Sequence, residues 1–214
     1  MEQTDIWSIN PSTSATFFKT AATVTGGAFP RALILTNTNP VVAKEGAGYK
    51  VIITSAGDDR TANFTINGAI VGQLTEQGQV PNPNNPEVLA GGNAGAVTSA
   101  YFYSRIDSIT ISKAAAGTVA VGTTGDLALP RCRIKGFYVL GDAGAGSLKI
   151  NRFSYTTSAY PTVAVESLLD ITTPAGATLT QFLSLPGQGI LTGQQHNDFA
   201  VVTLDGADYS LFCG

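Results

Sequence analysis

Apolar and polar side chains alternate along much of this 214-residue chain. In Asn63-Phe64-Thr65-Ile66-Asn67, Phe64 and Ile66 share one face, and Asn63, Thr65 and Asn67 share the other. A period of two places one face of a strand on a core and the other toward solvent or a partner. Residues 50–54, 105–112, 117–121, 131–140 and 147–155 are further short β-rich runs. Turn-forming residues punctuate them at Ala56-Gly57-Asp58-Asp59, Asn67-Gly68, 114–117 and 141–146, a spacing that suits a sandwich. Asn67-Gly68 predicts a tight hairpin, because both residues tolerate positive φ. Residues 109–121 and 137–150 each read as strand, small-residue turn, strand. Their shared grammar reflects either two related β-domains or the limited ways to build a hairpin, and the second is the simpler reading. Only 163–171 admits a short helical turn.

The pattern therefore predicts an all-β fold of one or two β-sandwich modules, Ig-like or jelly-roll-like, with an N-terminal arm. Residues 1–30 are expected to form the arm or extension, 31–126 the first sandwich and 131–214 the second. The break is placed at 122–130, where Gly122-Thr123-Thr124-Gly125-Asp126 reads as the turn-rich end of a strand and Pro130 disfavours helix before it. A second break, at 75–96, is a long loop rich in Gly, Pro and Asn. Loops of that length either contact partners or are merely solvated.

Composition sharpens the picture in one respect. Charged residues make up 13% of the chain, about half of the usual ~25%. Either the surface is simply neutral, or much of it is covered by neighbours, since interface cores are depleted in charge. The hydrophobic content of 43% with a net charge of −3 is enough for a real core and argues against disorder. The start, Met1-Glu2-Gln3-Thr4-Asp5, lacks the basic and apolar pattern of a leader. No stretch approaches the ~18 apolar residues of a membrane helix. Synthesis and assembly in a cytoplasm, with no membrane partner, are the expectation. Cys132 and Cys213 are too few for a disulfide framework and read as buried thiols, although a bridge stays open.

Charge is uneven. Residues 153–214 contain no Lys or Arg but carry Glu166, Asp170, Asp198, Asp205 and Asp208. Arg131, Arg133 and Lys135 alternate on one strand and so face one way. Such a stripe can bind phosphate backbones. This one is short, lacks interleaved aromatics and sits in an acidic protein, so nucleic acid is not the expected partner. Pairing with the acidic C-terminal segment, within or between chains, accounts for it more simply.

Catalytic templates find no purchase. His196, the single histidine, has no Gly-x-Ser-x-Gly elbow to serve and no flanking signature at either cysteine. Two cysteines and one histidine, far apart, do not make a zinc site. Gly141-Asp142-Ala143-Gly144-Ala145-Gly146 reverses the dinucleotide spacing and joins two strands rather than opening a helix. No cofactor, metal or catalytic residue is expected, and the chain reads as non-enzymatic.

Val51-Ile52-Ile53-Thr54-Ser55-Ala56-Gly57-Asp58-Asp59, then Phe64-Thr65-Ile66-Asn67-Gly68, Ala90-Gly91-Gly92-Asn93-Ala94-Gly95-Ala96, Tyr101-Phe102-Tyr103 and Ser108-Ile109-Thr110-Ile111-Ser112 together resemble a phrase of tailed-bacteriophage structural proteins. The second half is similar to another phage-type β-module, with Ile134 to Val139, a glycine-spaced turn to Ile150, Leu185-Pro186-Gly187-Gln188-Gly189 and a closing Asp208-Tyr209-Ser210-Leu211-Phe212-Cys213. The Pro/Asn-rich insertion at 80–86 departs from that pattern, and the first ~45 residues match none of it. The resemblance implies a virion component, a tail or fibre adaptor or a head decoration, whose partners are copies of itself and other virion proteins. The expected contacts are Trp7, Phe17 and Phe18 in the arm, Val80, Pro81, Asn82, Pro83, Asn84, Asn85 and Pro86 in the loop, and the Arg131, Arg133 and Lys135 stripe. The alternative is a host-surface carbohydrate-binding sandwich, with Tyr101, Tyr103, Tyr155 and Tyr160 as an exposed aromatic cluster; core packing competes for Tyr101 and Tyr103.

Overall fold

The structure is a computed structural model; it describes residues 7–9, 13–25, 27–35, 47–71, 74–75, 78–79, 86–130, 132–140, 146–154, 164–173, 181–185, 189–192, 198–205 and 208–213. The fold is all-β and antiparallel, as the alternation predicts. The strands are β1 (Trp7–Ile9), β2 (Thr13–Thr23), β3 (Arg31–Ala32), β4 (Gly48–Ser55), β5 (Asn63–Ile70), β6 (Leu74–Thr75), β7 (Gly78–Gln79), β8 (Glu87–Ala90) and β9 (Ala96–Ile111). They continue as β10 (Thr118–Leu129), β11 (Arg133–Leu140), β12 (Gly146–Phe153), β13 (Glu166–Thr173), β14 (Gln181–Ser184), β15 (Ile190–Leu191), β16 (Phe199–Asp205) and β17 (Asp208–Cys213). The larger sheet runs β13-β12-β16-β10-β4-β9-β5-β8, with β2 on β10 and β3 on β9. The smaller runs β1-β17-β11-β14, with β15 on β11; β6 pairs with β7 alone.

Two cores form because the long strands serve two layers each. The first half of β9 pairs with β4, from Ala96 to Tyr103. Its second half, to Ile111, pairs with β5 and β3. The strand thus passes from one layer of a sandwich to the other, and Phe64, Ile66, Ile106, Ile109 and Ile111 meet Phe18, Val51, Ile53, Val119 and Val121 between the layers. Each such side chain contributes roughly 1.5–3 kcal/mol on full burial. In the second core, Leu127, Leu129, Leu148, Ile150 and Val202 of the larger sheet pack with Ile134, Phe137 and Leu211 of the smaller. Ala47 and Tyr49 of the chain leading into and along β4 join this second core, while Val51 and Ile53 join the first. On the opposite face of the sheet, Phe102, Ala128, Phe199 and Val201 form a third cluster with Val71, in which Phe153 stacks on Phe199 at 5.5 Å.

Several expectations change here, each for a physical reason. The turn-rich 122–129 is not the end of a strand. β10 runs through it, and its pairing with β4 jumps from Thr123↔Val51 to Leu127↔Tyr49. Gly125, at φ +85°, supplies the left-handed residue that such a bulge uses. Asn67-Gly68 is not a hairpin but lies inside β5, at a register shift opposite Ser108 and Ile106. A Cβ on Gly68 would collide with the Arg105 carbonyl. The strand–turn–strand unit at 109–121 is an arch rather than a hairpin, and the two strands of the unit at 137–150 do not pair with each other. β9 ends in the layer of β5 while β10 starts in the layer of β4, and β11 and β12 belong to different sheets. Residues 166–171, where a helical turn was admissible, lie in β13. Of the expected arm, β1 pairs with β17 and β2 pairs with β10.

Candidate functional site

The feature that best suits a partner is the outer face of the β8-β5-β9-β3 layer. Register places Val88 beside Thr65, Thr65 beside Thr110 and Thr110 beside Ala32. Asn67 and Ser108 form the next row, joined by an Asn67 Nδ2 to Ser108 Oγ hydrogen bond of 3.2 Å. Pro86 and Ile34 flank that row in sequence, two residues before Val88 and two after Ala32. Inward neighbours alternate with these: Glu87, Phe64, Ile66, Ile109, Ile111 and Leu33 are buried. These two rows contain no charged side chain; the next carries Arg105, opposite Ala69, exposed and paired with Asp107 of the same strand at 2.7 Å. The face holds Ile34 and Val88, which are 81% and 57% exposed. Neither was singled out from the sequence, because Leu33-Ile34-Leu35 and Val88-Leu89 are apolar throughout and give period-two reasoning no polar residue to orient them.

The expected contact residues fall differently. Phe18 is fully buried in the first core, with Phe17 against it edge-on at 5.1 Å. Phe18 is therefore an anchor within its own chain, not into a neighbour, while Phe17 is half-buried. Trp7 opens β1 opposite Cys213. Val80, Pro81, Asn82, Pro83, Asn84, Asn85 and Arg131 lie outside the described residues, as do Tyr155, Tyr160 and His196; Pro86 is exposed. Arg133 and Lys135 are half-buried on either side of the core residue Ile134. Tyr101 and Tyr103 do share a face, but it is the inner one: both are buried in the first core, so they make no exposed aromatic platform. Core packing wins because β9 changes layers at this point and fills the corner with their rings.

Buried polar groups are tied into the fold. Asp59, at the end of the β4–β5 turn, is 2% exposed. Its carboxylate accepts from Ser55 Oγ and, at 2.7 Å, from the Ala116 N–H of the β9–β10 arch. Its backbone N–H donates to Gly92 O, so one residue fastens three loops. Thr192 Oγ1 accepts from Cys132 N at 2.7 Å and donates to Pro130 O or Cys132 O, each at 3.0 Å. Three of the acidic C-terminal residues pair with β12: Arg152 reaches Glu166 at 2.8 Å and the buried Asp198 at 3.2 Å, and Lys149 reaches Asp170 at 3.6 Å. On the surface, the hydrogen bond from the Arg60 side chain holds Asp58 down to about 2. Arg60 and Arg105 are raised by their bonds to Asp58 and Asp107. Among the described residues, no group of three or more His, Cys, Asp or Glu side chains is placed to hold a metal, and no helix is long and apolar enough to cross a membrane.

In comparisons with known proteins, no family model, no curated protein and no solved structure matches the chain.

Proposed function

We propose that the chain is a non-enzymatic structural protein of a tailed-bacteriophage particle, which associates with copies of itself in a symmetric assembly and decorates or joins other particle components. The motifs at 51–68, 90–112 and 134–150, which resemble those of phage structural proteins, supply the class. The single observation that supports self-association is the pair of uncharged rows on that outer face, with Ile34 and Val88 exposed beside and within them. The proposed occupant is the same face of a second copy. In an isologous contact each group meets its own equivalent near the axis, so a charged patch would set like charges together, whereas Thr, Ser and Asn can both donate and accept.

The magnitude favours many weak contacts over one strong one. With strands ~4.8 Å apart and residues ~3.4 Å apart, the four residues of β8, the two of β3 and about six each of β5 and β9 offer a face of about 300 Å². That is well under half of the ~800 Å² per partner of a standard interface. Stability would then come from repetition around a ring or lattice. Quantitative mass spectrometry of purified phage particles whose genome encodes the chain tests the reading. A fixed multiple of copies per particle is expected, and absence of the chain from intact particles would overturn it.

A further inference from the structure

The two uncharged rows of the outer face have the same chemical order from either edge. Across β8, β5, β9 and β3 the first row is Val88, Thr65, Thr110 and Ala32, which is apolar, polar, polar, apolar. In the second row Asn67 stands opposite Ser108. The β5–β8 register, continued by one residue, sets Pro86 beside Asn67. Leu33 N–H donates to Ile109 O at 2.8 Å, so the β3–β9 register also continues and sets Ile34 beside Ser108. The second row is thus Pro86, Asn67, Ser108 and Ile34, again apolar, polar, polar, apolar. Both rows turn about one line, midway between β5 and β9. Past the second row Ala69 stands opposite Arg105. Arg105 holds Asp107 through two bonds of 2.7 and 3.3 Å, so the charges there form a neutral pair at the rim, where an interface tolerates polar groups.

We propose that the twofold axis of the self-contact runs parallel to the strands along the line between β5 and β9. The proposal rests on the self-association reading and adds to it which residues meet. About this axis β5 of one copy covers β9 of the other, and β8 covers β3. Val88 meets Ala32 of the second copy, and Ile34 meets Pro86. Thr65 meets Thr110 and Asn67 meets Ser108, groups that can both donate and accept. Moving the axis onto β9 would set Thr65 on Ala32 and Asn67 on Ile34. Moving it onto β5 would set Thr110 on Val88 and Ser108 on Pro86. Either shift leaves polar groups covered without a partner, which is costly. An axis perpendicular to the strands through the first row would set Val88 on Val88. That arrangement asks nothing of the order across a row, so it gives no reason for two rows to share the same order about the same line. Sheets that pack face to face keep their strands within about 30° of each other, which preserves these meetings near the axis.

Cysteine cross-linking reads the axis directly. Within one chain Ala32 and Val88 are three strand spacings apart, ~14 Å. A bis-maleimide too short for that span can join Ala32→Cys to Val88→Cys only between copies. At a concentration where sedimentation shows the oligomer, the Ala32→Cys/Val88→Cys chain is expected to give a covalent dimer on a denaturing gel. Either single variant alone is expected to stay a monomer band, and an equimolar mixture of the two to give the dimer again. The wild-type chain treated alike sets the background from Cys132 and Cys213. Ile34→Cys/Pro86→Cys is expected to behave as the first pair does, and replaces it if that chain fails to fold or to associate. An oligomer that neither pair links, or one in which Val88→Cys alone links as readily as the pair, overturns the axis and leaves self-association standing. A wild-type chain that sediments as a monomer at every concentration overturns the self-association reading, and the axis falls with it.

Discussion

Replacing Asp59 with alanine tests the joint that holds one end of the first sandwich. The substitution removes both oxygens that receive Ser55 Oγ and Ala116 N–H, at a residue 2% exposed beside a Ser55 that is 3% exposed. A buried donor left without its acceptor costs about 1–3 kcal/mol, and a bond to a charged group is worth about 1.5–3 kcal/mol. Two donors are affected, and Gly57 N, which reaches Ser55 Oγ at 3.4 Å, is itself a donor and offers the stranded hydroxyl proton no acceptor. The expected loss is about 3 kcal/mol. At ~2–4 °C per kcal/mol for a chain of this size, the unfolding midpoint falls by about 6–12 °C. Thermal and urea denaturation followed by circular dichroism measure it. A double-mutant cycle with Ser55→Ala isolates the side-chain pair, and a coupling of about 1 kcal/mol or more is expected. Asp59→Asn keeps an acceptor for Ala116 N–H and is expected to lose less than Asp59→Ala. If Asp59→Ala loses under about 1 kcal/mol, with no coupling to Ser55, the three loops are not held by this carboxylate.

Other perturbations address other joints. Gly122→Ala places a Cβ against the backbone of Ser14 and Ala15, where β2 lies on β10; a loss of about 1–3 kcal/mol in urea denaturation is expected. Phe199→Ala empties a fully buried site at which Phe102 and Phe153 converge. It is expected to lower stability by about 3–5 kcal/mol, and calorimetry is expected to show a single lowered transition, because β4 and β10 serve both cores. The Asp58–Arg60 pair contributes above the unfolded value of Asp58 and is lost as pH falls through about 2; NMR titration of the Asp58 carboxyl should place its midpoint there, and Arg60→Gln should move it up toward the model-peptide range.

Much of the fold is written in local alternation, and what is not written locally is pairing. Phe64 and Ile66 face the core opposite Asn63, Thr65 and Asn67, as a period of two requires. The glycines mislead because each answers a non-local need. Gly68 makes room for the Arg105 carbonyl, and Gly125 bends a strand that continues. From short range, a bulge and a turn look alike. Arches and hairpins likewise share a sequence grammar, and only the distant partners of β9 and β10 tell them apart. The same holds for the candidate face: Thr65 and Asn67 are visible as outward residues in β5, but their union with Ile34, Val88, Thr110 and Ser108 depends on a register among four strands that no single segment encodes. Phe18, Tyr101 and Tyr103 carry no local sign that separates a core ring from an exposed one.

The most direct test of the account is sedimentation velocity of the wild-type chain beside an Ile34→Lys/Val88→Lys double variant over a wide concentration range. The face that exposes Ile34 and Val88 predicts a discrete wild-type oligomer that dissociates on dilution, and a variant that stays monomeric while keeping its β-rich circular dichroism. A wild-type chain that remains monomeric at the highest concentration, or a double variant that assembles as the wild type does, would contradict it.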